Sequence, residues 1–170
     1  MTSLIVRALR EPRVASREGR AILKGMWCRI WCRLRGIRFT AGRNLRIDGR
    51  LSLRGPGAVI LGDNSFVNGT SFACCREIRI GRQAILGRSS IMDTDFHSVR
   101  ADRHSAEAPI RVAPVILEDN VWVAAQVGIL PGTRIGQNSV VGFGAVCAGV
   151  FPDNVVIAGN PAKIVKKLSE

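Results

Sequence analysis

The feature that most constrains this chain is a six-residue period that runs without interruption from Leu117 to Pro152. Its first positions are compact and apolar, and its fifth positions are small or β-branched until Phe151 breaks that run. A period of six matches neither a 3.6-residue helix nor the alternation of a half-buried strand. It matches a parallel β-helix, in which three sixes form one triangular coil and stacked coils share a core. The first positions are Leu117, Val123, Ile129, Ile135, Val141 and Cys147.

Earlier copies of this period, from about Ile47 onward, extend the predicted solenoid towards the N-terminus. Their predicted fifth positions are Ser65, Ser71, Ala84 and Ser90. Residues 98–113 then break the pattern with charged residues and no apolar first position, and such an insertion in a solenoid usually marks a functional loop. After Pro152 the sequence predicts a capping strand, a turn at residues 159–161 and a short basic helix.

Positive charge is concentrated before the repeats. Residues 1–46 hold 12 Lys and Arg against two acidic residues, whereas residues 47–170 hold 13 against 11. Residues 16–34 show apolar positions at helical spacing, which predicts a cationic amphipathic helix with both Trp27 and Trp31 on its apolar face. This helical arm, residues 16–35, is expected either to pack on the β-helix or on a neighbouring subunit, or to dock on an anionic membrane. Nucleic acid is the weakest partner, because no reader motif accompanies the charge.

Composition limits the class of protein further. No run of eighteen apolar residues predicts a membrane-spanning helix, and the first residues lack the pattern of a secretion signal. The five cysteines form no paired CxxC set, so we expect reduced thiols and no metal. The expected location is cytoplasmic, with peripheral contact at the inner face of the membrane as an extension. We predict a basic helical arm at 1–44 and a β-helix domain at 45–170.

Several segments resemble the hexapeptide-repeat acyltransferases, which include galactoside, maltose and polysaccharide O-acetyltransferases. They are MDTDFH before the insertion, APVILEDNVWVAA after it, ILPGTRIGQNSVVGFGAV, and VIAGNPAKIVKK. The resemblance covers about residues 45–168. It implies an all-β, left-handed parallel β-helix that forms a homotrimer with active sites between neighbouring chains. It also implies acetyl-CoA as co-substrate, a sugar or glycan acceptor, and no metal.

The resemblance assigns the catalytic base to His97, at the end of MDTDFH. An imidazole, with a pKa near the working pH, can take the proton of an acceptor hydroxyl during attack. Asp93 and Asp95 flank it and either orient the imidazole, pair with loop arginines or are solvated carboxylates; strand alternation favours Asp95 as the orienting residue. Asn68 matches an asparagine near the reacting hydroxyl. His104 is expected to be substrate-side or merely exposed.

The resemblance also implies a binding surface for the cofactor. Trp122 is the sixth residue of its repeat, so it should point outward and line a tunnel for acyl-CoA and acceptor. Relatives carry hydroxyl or basic side chains where this chain has small residues, so mainly backbone contacts are expected along the last coils. Two C-terminal lysines are expected either to pair with CoA phosphates or to be solvated. The matching positions are Ala125, Phe143, Ala148, Gly149, Lys163 and Lys166.

Three alternatives remain beside O-acetyl transfer, and a fourth, a β-helix carbonic anhydrase, is nearly excluded. N-acetylation of an amino sugar would use the same histidine base. A non-catalytic scaffold held to a membrane by the arm would explain the charge but not His97 or Trp122. A β-helix carbonic anhydrase needs three histidine ligands for zinc, and this chain has two histidines. A covalent acyl-enzyme through Cys74 or Cys75 lacks a basic neighbour in a recognised nucleophile motif.

Overall fold

A β-solenoid preceded by one helix makes up the described part of the chain, which is the backbone of residues 12–169 and the side chains of residues 18–169 in a computed structural model. Successive strands enter three sheets in turn, and the solenoid strands pair in parallel. Sheet A holds β1 (Phe39–Ala41), β4 (Ala58–Leu61), β7 (Glu77–Ile80), β10 (Val115–Leu117), β13 (Arg134–Ile135) and β16 (Val150–Phe151). Sheet B holds β2 (Arg46–Asp48), β5 (Phe66–Asn68), β8 (Ile85–Leu86), β11 (Trp122–Val123), β14 (Val140–Val141), β17 (Val155–Ala158) and β18 (Lys163–Lys167). Sheet C holds β3 (Ser52–Arg54), β6 (Ser71–Ala73), β9 (Ser90–Met92), β12 (Gly128–Ile129) and β15 (Val146–Cys147).

The core is the stack of first-position side chains that the period predicted. All six of them, from Leu117 to Cys147, are at most 1% exposed. Leu117 lies in register with Ile80 in the coil before and Ile135 in the coil after. The side chain of Phe151 is also buried, because β16 pairs it with Ile135 and so places it at a first position. Each coil therefore depends on its neighbours for burial, as a solenoid requires.

A ladder of amides lines the corner between sheets A and B. Its residues adopt the left-handed conformation, with φ of 56–60°, which asparagine tolerates better than most side chains. The Asn120 side-chain N–H donates to Asn138 Oδ1 at 3.0 Å, and Asn138 donates in turn to Asn154 at 2.9 Å. The ladder positions are Asn44, Asn64, Gln83, Asn120, Asn138 and Asn154. These bonds fix the corner of each coil on the corner of the next.

The predicted phase is wrong by one residue in two repeats. Thr70 and Phe72 are buried where Ser71 had been predicted at the fifth position, and Ser89 and Ile91 are buried in place of Ser90. The corner between sheets B and C takes one residue fewer in these two coils than in the coil that follows. A one-residue change decides which side chains enter the core, and a strict period of six could not predict a shorter corner.

The predicted helix is α1 (Pro12–Leu34), and it covers the first coil. Its end fits the predicted stop at Gly36, where φ is +66°. The side that packs is mostly not the predicted apolar one: Ile22 is half-buried, but the fully buried positions are small, and a Cβ at Gly25 would collide with the backbone carbonyl of Leu45. The close approach of helix to coil selects small residues, and these are Ala21, Gly25, Cys28 and Cys32.

The C-terminal segment differs from the prediction in one element. The capping strand β17 and the turn are present, but the predicted short helix is instead the strand β18, antiparallel to β17. Ile164 and Val165 are β-branched, which favours a strand. Pairing also occupies the edge of sheet B, which would otherwise leave backbone groups open. No helix in the described range has the length and apolarity that crossing a bilayer would require.

Candidate active site

The insertion leaves the solenoid at the corner between sheets C and A, and one buried carboxylate anchors it. Asp93, which follows β9, is 0% exposed. Its Oδ1 accepts the backbone N–H of Cys75 at 2.7 Å, and its Oδ2 accepts those of Arg76 at 2.7 Å and Glu77 at 2.8 Å. Its backbone carbonyl accepts the Ala113 N–H at 2.9 Å. The two ends of the insertion are thus held together on the corner of the preceding coil.

Local hydrogen bonds then fix the turn that presents His97. The Asp95 N–H donates to the carbonyl of Arg111 at 3.1 Å, which ties the two arms of the loop. The Phe96 N–H donates to Thr94 Oγ1 at 3.2 Å, and the His97 N–H donates to the Asp95 carbonyl at 2.7 Å. Phe96 has a φ of +62°, which is uncommon for a bulky side chain. The backbone of His97 is therefore determined although its side chain is exposed.

His97 lines an open cavity of about 600 Å³ on the insertion. Among the described contacts, no hydrogen bond joins the imidazole to Asp93, because the Asp93 carboxylate is occupied by backbone donors. Asp95 is the carboxylate that lines the cavity together with His97, whereas Arg100 pairs with Asp102 at 3.0 Å. The cavity is lined by Asp95, His97, Ser98, Val99, Arg103 and His104.

Two of the predicted cofactor residues lie at the same corner, in later coils. The Gly132 N–H donates to Ala113 at 3.0 Å, which stacks the next coil on the end of the insertion. The Arg111 guanidinium also donates, through Nη2, to the Pro131 carbonyl at 3.0 Å. Ala148 and Gly149 follow in the coil after, where Gly149 accepts the Arg134 N–H at 2.9 Å. Both are exposed, so their backbones are accessible to a ligand.

The remaining predicted site residues belong to sheet B and the corner after it. Trp122 points outward, as predicted, and is 49% exposed. It lies in register with Ile85 and Val140, so apolar side chains form a ladder on this outer face. Asn68 ends β5 on the same face, two residues after Phe66. Sheet B thus presents a row of apolar side chains on its outer surface, where exposure to water is unfavourable.

The corner between sheets B and C carries Ala125 and Phe143 in consecutive coils. The Gly144 N–H donates to the Ala125 carbonyl at 3.1 Å, and the Phe143 side chain is exposed. Lys163 and Lys166 lie at the end of sheet B, opposite Ala158 and Val156. A bulge in this pairing brings both lysines to the outer face although they are three residues apart.

The structure therefore sorts the predicted residues into two groups, at the two edges of sheet C. His97, Asp95, Ala148 and Gly149 follow sheet C. The other six precede it or lie on sheet B: Asn68, Trp122, Ala125, Phe143, Lys163 and Lys166. One chain does not bring the candidate base and the candidate tunnel tryptophan to one surface.

The cysteines offer little support for covalent catalysis. The Cys74 thiol is buried, and burial together with the neighbouring Asp93 carboxylate raises its pKa to about 12. A thiol with so high a pKa is a poor nucleophile near neutral pH. Cys75 is exposed, and within residues 18–169 no hydrogen bond joins its thiol to a base, as a nucleophile arrangement would require. In the described part of the chain, no three His, Cys, Asp or Glu side chains cluster as metal ligands do.

Sequence reasoning gave Asp93 the wrong kind of role and did not single out Arg111. Asp93 had been considered, after the favoured Asp95, as a partner of the imidazole or of loop arginines or as a solvated carboxylate, whereas it binds backbone amides of the preceding coil. The amides that Asp93 binds precede it by 16–18 residues, which is one coil of the solenoid. That spacing was the only signal in the sequence that could have predicted this contact. For Arg111, no local sequence pattern distinguishes an arginine at the base of the loop from the other arginines of the loop.

Comparison with known proteins gives a consistent result. Residues 114–149 match the family described as "Bacterial transferase hexapeptide (six repeats)". The chain is 36% identical over 143 residues to a protein of Escherichia coli (strain K12) provisionally named a lipopolysaccharide biosynthesis O-acetyl transferase; the match covers 78% of this chain and 70% of that protein.

Two solved structures share the fold. A maltose O-acetyltransferase from Clostridium difficile 630 is 31% identical, with a TM-score of 0.68 over 81% of this chain and 73% of that one. A hexapeptide-repeat acetyltransferase from Vibrio cholerae O1 biovar eltor, solved with acetyl-coenzyme A, is 22% identical, with a TM-score of 0.76 over 91% of this chain and 87% of that one.

Proposed function

Because the chain belongs to the hexapeptide-repeat acetyltransferases, we propose that it transfers an acetyl group from acetyl-CoA to a hydroxyl of a sugar or glycan, with His97 as general base. The observation that carries the proposal is the exposed imidazole on a hydrogen-bonded turn, at the point where the insertion leaves the solenoid. The names of the Escherichia coli and Clostridium difficile relatives include lipopolysaccharide and maltose, and they support a sugar acceptor.

The proposed mechanism is direct transfer within a ternary complex. The imidazole of His97 takes the proton of the acceptor hydroxyl while the hydroxyl oxygen attacks the thioester carbonyl carbon. A carbon–oxygen bond forms and the carbon–sulfur bond breaks, and the proton passes from His97 to the departing CoA thiolate. Exposed backbone N–H groups near the insertion would stabilise the oxyanion. Asp95, which lines the same cavity, would stabilise the positive charge that develops on the imidazole as it takes the proton.

We further propose that the working enzyme is a homotrimer. In one chain, sheet C separates His97 from Trp122 and Asn68, and the outer face of sheet B is an apolar ladder. A neighbouring copy that packs on this ladder would cover it and would bring its own insertion to Trp122. The complete site would then combine the base of one chain with the tunnel and lysines of the next.

The acceptor proposed here is a polysaccharide- or lipopolysaccharide-type sugar, and the proposed location is the inner face of a membrane. Transfer to the nitrogen of an amino sugar is the second candidate reaction, since the same imidazole would serve it. A panel that pairs each sugar with its amino analogue separates the two reactions.

The test is release of CoA from acetyl-CoA in the presence of sugars, nucleotide sugars and lipid-linked glycans. His97→Ala should lower turnover by about 10²–10⁴-fold, the usual effect of losing a general base, with little change in acetyl-CoA affinity. His104→Ala is the matched control, because it removes an imidazole from the same cavity.

A His97→Ala enzyme that keeps most of the wild-type rate of acetyl transfer would contradict the proposed mechanism. A wild-type protein that acetylates nothing and is not stabilised thermally by CoA would instead support a non-catalytic scaffold, since a scaffold has no reason to bind CoA.

A further inference from the structure

The side of α1 that faces away from the solenoid is apolar. Leu23, Trp27, Ile30 and Leu34 recur at the same i, i+4, i+7, i+11 spacing as the packed small residues, but on the opposite side of the helix. All four are exposed, and Trp27 is 69% exposed. Met26 and Trp31 lie at the margins of this surface and are also exposed. We call these six side chains the outer face of α1.

Cations border the outer face on both sides. At 3.6 residues per turn, Arg29 and Arg33 lie along one margin, and Arg20 and Lys24 lie along the other. All four are exposed. The Arg35 guanidinium lies 5.5 Å from the centre of the Trp31 ring, within the range of a cation–π contact.

The helix is held firmly enough to present this face as a unit. The Cys32 side chain is fully buried and belongs to the same core as the solenoid. The Arg29 guanidinium donates to the Gly42 carbonyl at 3.3 Å, and the Ile37 N–H donates to the Cys32 carbonyl at 2.9 Å just after the helix. The outer face is thus fixed relative to the coils.

We propose that the outer face of α1 docks on an anionic membrane surface, with Trp27 and Trp31 at the level of the headgroups and the bordering cations on lipid phosphates. An apolar strip with cations on both margins is the arrangement that binds a planar anionic interface. The proposal concerns where the protein binds, and it does not depend on the acetyl transfer.

The charge pattern disfavours two other occupants, a second copy docked through the same face and a nucleic acid. A second copy docking through the same face would bring the cations of both helices together, and like charges across an interface are repulsive. A nucleic acid would be attracted by the cations but would leave Leu23, Ile30 and Leu34 in water. An anionic bilayer satisfies both the apolar strip and its basic margins.

Docking in this way would leave the candidate active site free. The helix packs on the first coil, whereas the insertion leaves the third coil after β9. Strand spacing puts these coils about 10 Å apart along the solenoid. A lipid-carried acceptor could reach the insertion from a docked enzyme, and this last inference rests on the proposed function.

The test is co-sedimentation of the full-length protein with vesicles of equimolar phosphatidylcholine and phosphatidylglycerol, and with phosphatidylcholine alone. Wild type should pellet with the anionic vesicles and should be released by about 0.5 M NaCl. Trp27→Ser/Trp31→Ser should bind at least about 10-fold more weakly, because two large side chains no longer enter the interface. Val150→Ser, an exposed apolar residue on sheet A, is the matched control.

A second pair of variants separates charge from apolar burial. Arg20→Gln/Arg33→Gln removes one cation from each margin and should weaken binding at low salt, whereas Arg76→Gln/Arg88→Gln removes equal charge elsewhere and should not. The proposal would be overturned if the wild-type protein does not pellet with anionic vesicles, or if the Trp27→Ser/Trp31→Ser variant pellets as wild type does. Loss of oligomer mass in the tryptophan variant, or binding of single-stranded RNA in preference to vesicles, would also overturn it.

Discussion

A carboxylate taken out of water is costly unless hydrogen bonds replace its hydration, and Asp93 has a full set of them. Three backbone N–H groups donate to it, and the Cys74 thiol lies 3.5 Å from Oδ2. The donors belong to the preceding coil and the acceptor to the start of the insertion. Asp93 is therefore a positioning residue: it fixes the segment that ends at His97 without touching the reacting atoms.

Asp93→Asn should lower both stability and turnover. The amide nitrogen would face backbone donors, so the free energy of unfolding should fall by about 2–4 kcal/mol. The turnover number should fall while the KM for acetyl-CoA changes little, because the base is displaced and the cofactor surface is not. Thermal melts and steady-state kinetics measure the two effects.

Asp95→Asn is the control for Asp93, since its carboxylate lines the open cavity. Its stability should stay within about 0.5 kcal/mol of wild type. If Asp93→Asn destabilises the protein but leaves the turnover number of the folded fraction unchanged, Asp93 has a structural role only.

At the scale of the coil, burial follows the position in the repeat. Ile135 is fully buried at a first position, while Gln137, two residues later, is exposed at a corner. Ile135→Asp would place a charge in the shared core and should cost about 4 kcal/mol or more. Gln137→Asp should change stability by no more than about 0.5 kcal/mol. Denaturant melts of the two variants compare them directly, and equal tolerance would contradict the register.

The corner between sheets A and B should make stability depend on pH. Hydrogen bonds from the Arg82 guanidinium and from the Arg82 backbone N–H hold the pKa of Asp119 below its ordinary value. The folded state therefore favours the ionised carboxylate. This contribution is complete above the ordinary carboxyl pKa of about 4 and is lost as pH falls through the lowered pKa.

Asp119→Asn should thus lower the Tm at neutral pH, and the difference from wild type should shrink at about pH 2. Asp102→Asn, which removes a loop ion pair with Arg100, should show a smaller effect at every pH. A constant Tm difference across the pH range would mean that the effect of Asp119 does not arise from its charge.

The six-residue period was enough to predict the coils of the solenoid. It was not enough to predict two of the corners, the packed side of the helix or the last strand. First positions such as Ile129 and Val141 could be predicted because every coil needs a compact apolar side chain at the same place in the core. The shorter corners before Phe72 and Ile91 depend on local turn geometry, which a period does not encode. The packed side of α1 depends on how closely Gly25 approaches Leu45, a contact between elements. Helix and strand are both compatible with KIVKK, and the open edge of β17 decides between them.

At the scale of the molecule, the candidate site residues of one chain lie in two separate places. The base lies on one edge of sheet C, and the lysines proposed for CoA lie on the outer face of sheet B. Both Lys163 and Lys166 face outward because of the bulge between Val156 and Ile157. Their side chains would therefore meet a ligand on the same face as Trp122, in the groove proposed between neighbouring copies.

Lys163→Ala/Lys166→Ala should weaken acetyl-CoA binding, and should weaken CoA binding more than binding of dephospho-CoA if the 3′-phosphate is the target. Lys167→Ala, which removes a cation opposite the inward-facing Val155, is the matched control. Calorimetric titration gives the affinities. Equal affinity for the two ligands before and after mutation would leave these lysines as surface charges.

The hydrogen bond that joins the two ends of the insertion makes that segment an exchangeable module. The Ala113 N–H meets the Asp93 carbonyl, so the solenoid resumes next to the point at which it stopped. The entropy of closing such a loop grows only slowly with its length. Residues between His97 and Arg111 can therefore be lengthened, shortened or replaced without changing the register of any coil. A chain of this kind could acquire a new acceptor by grafting one loop, while its core and its cofactor surface stay as they are.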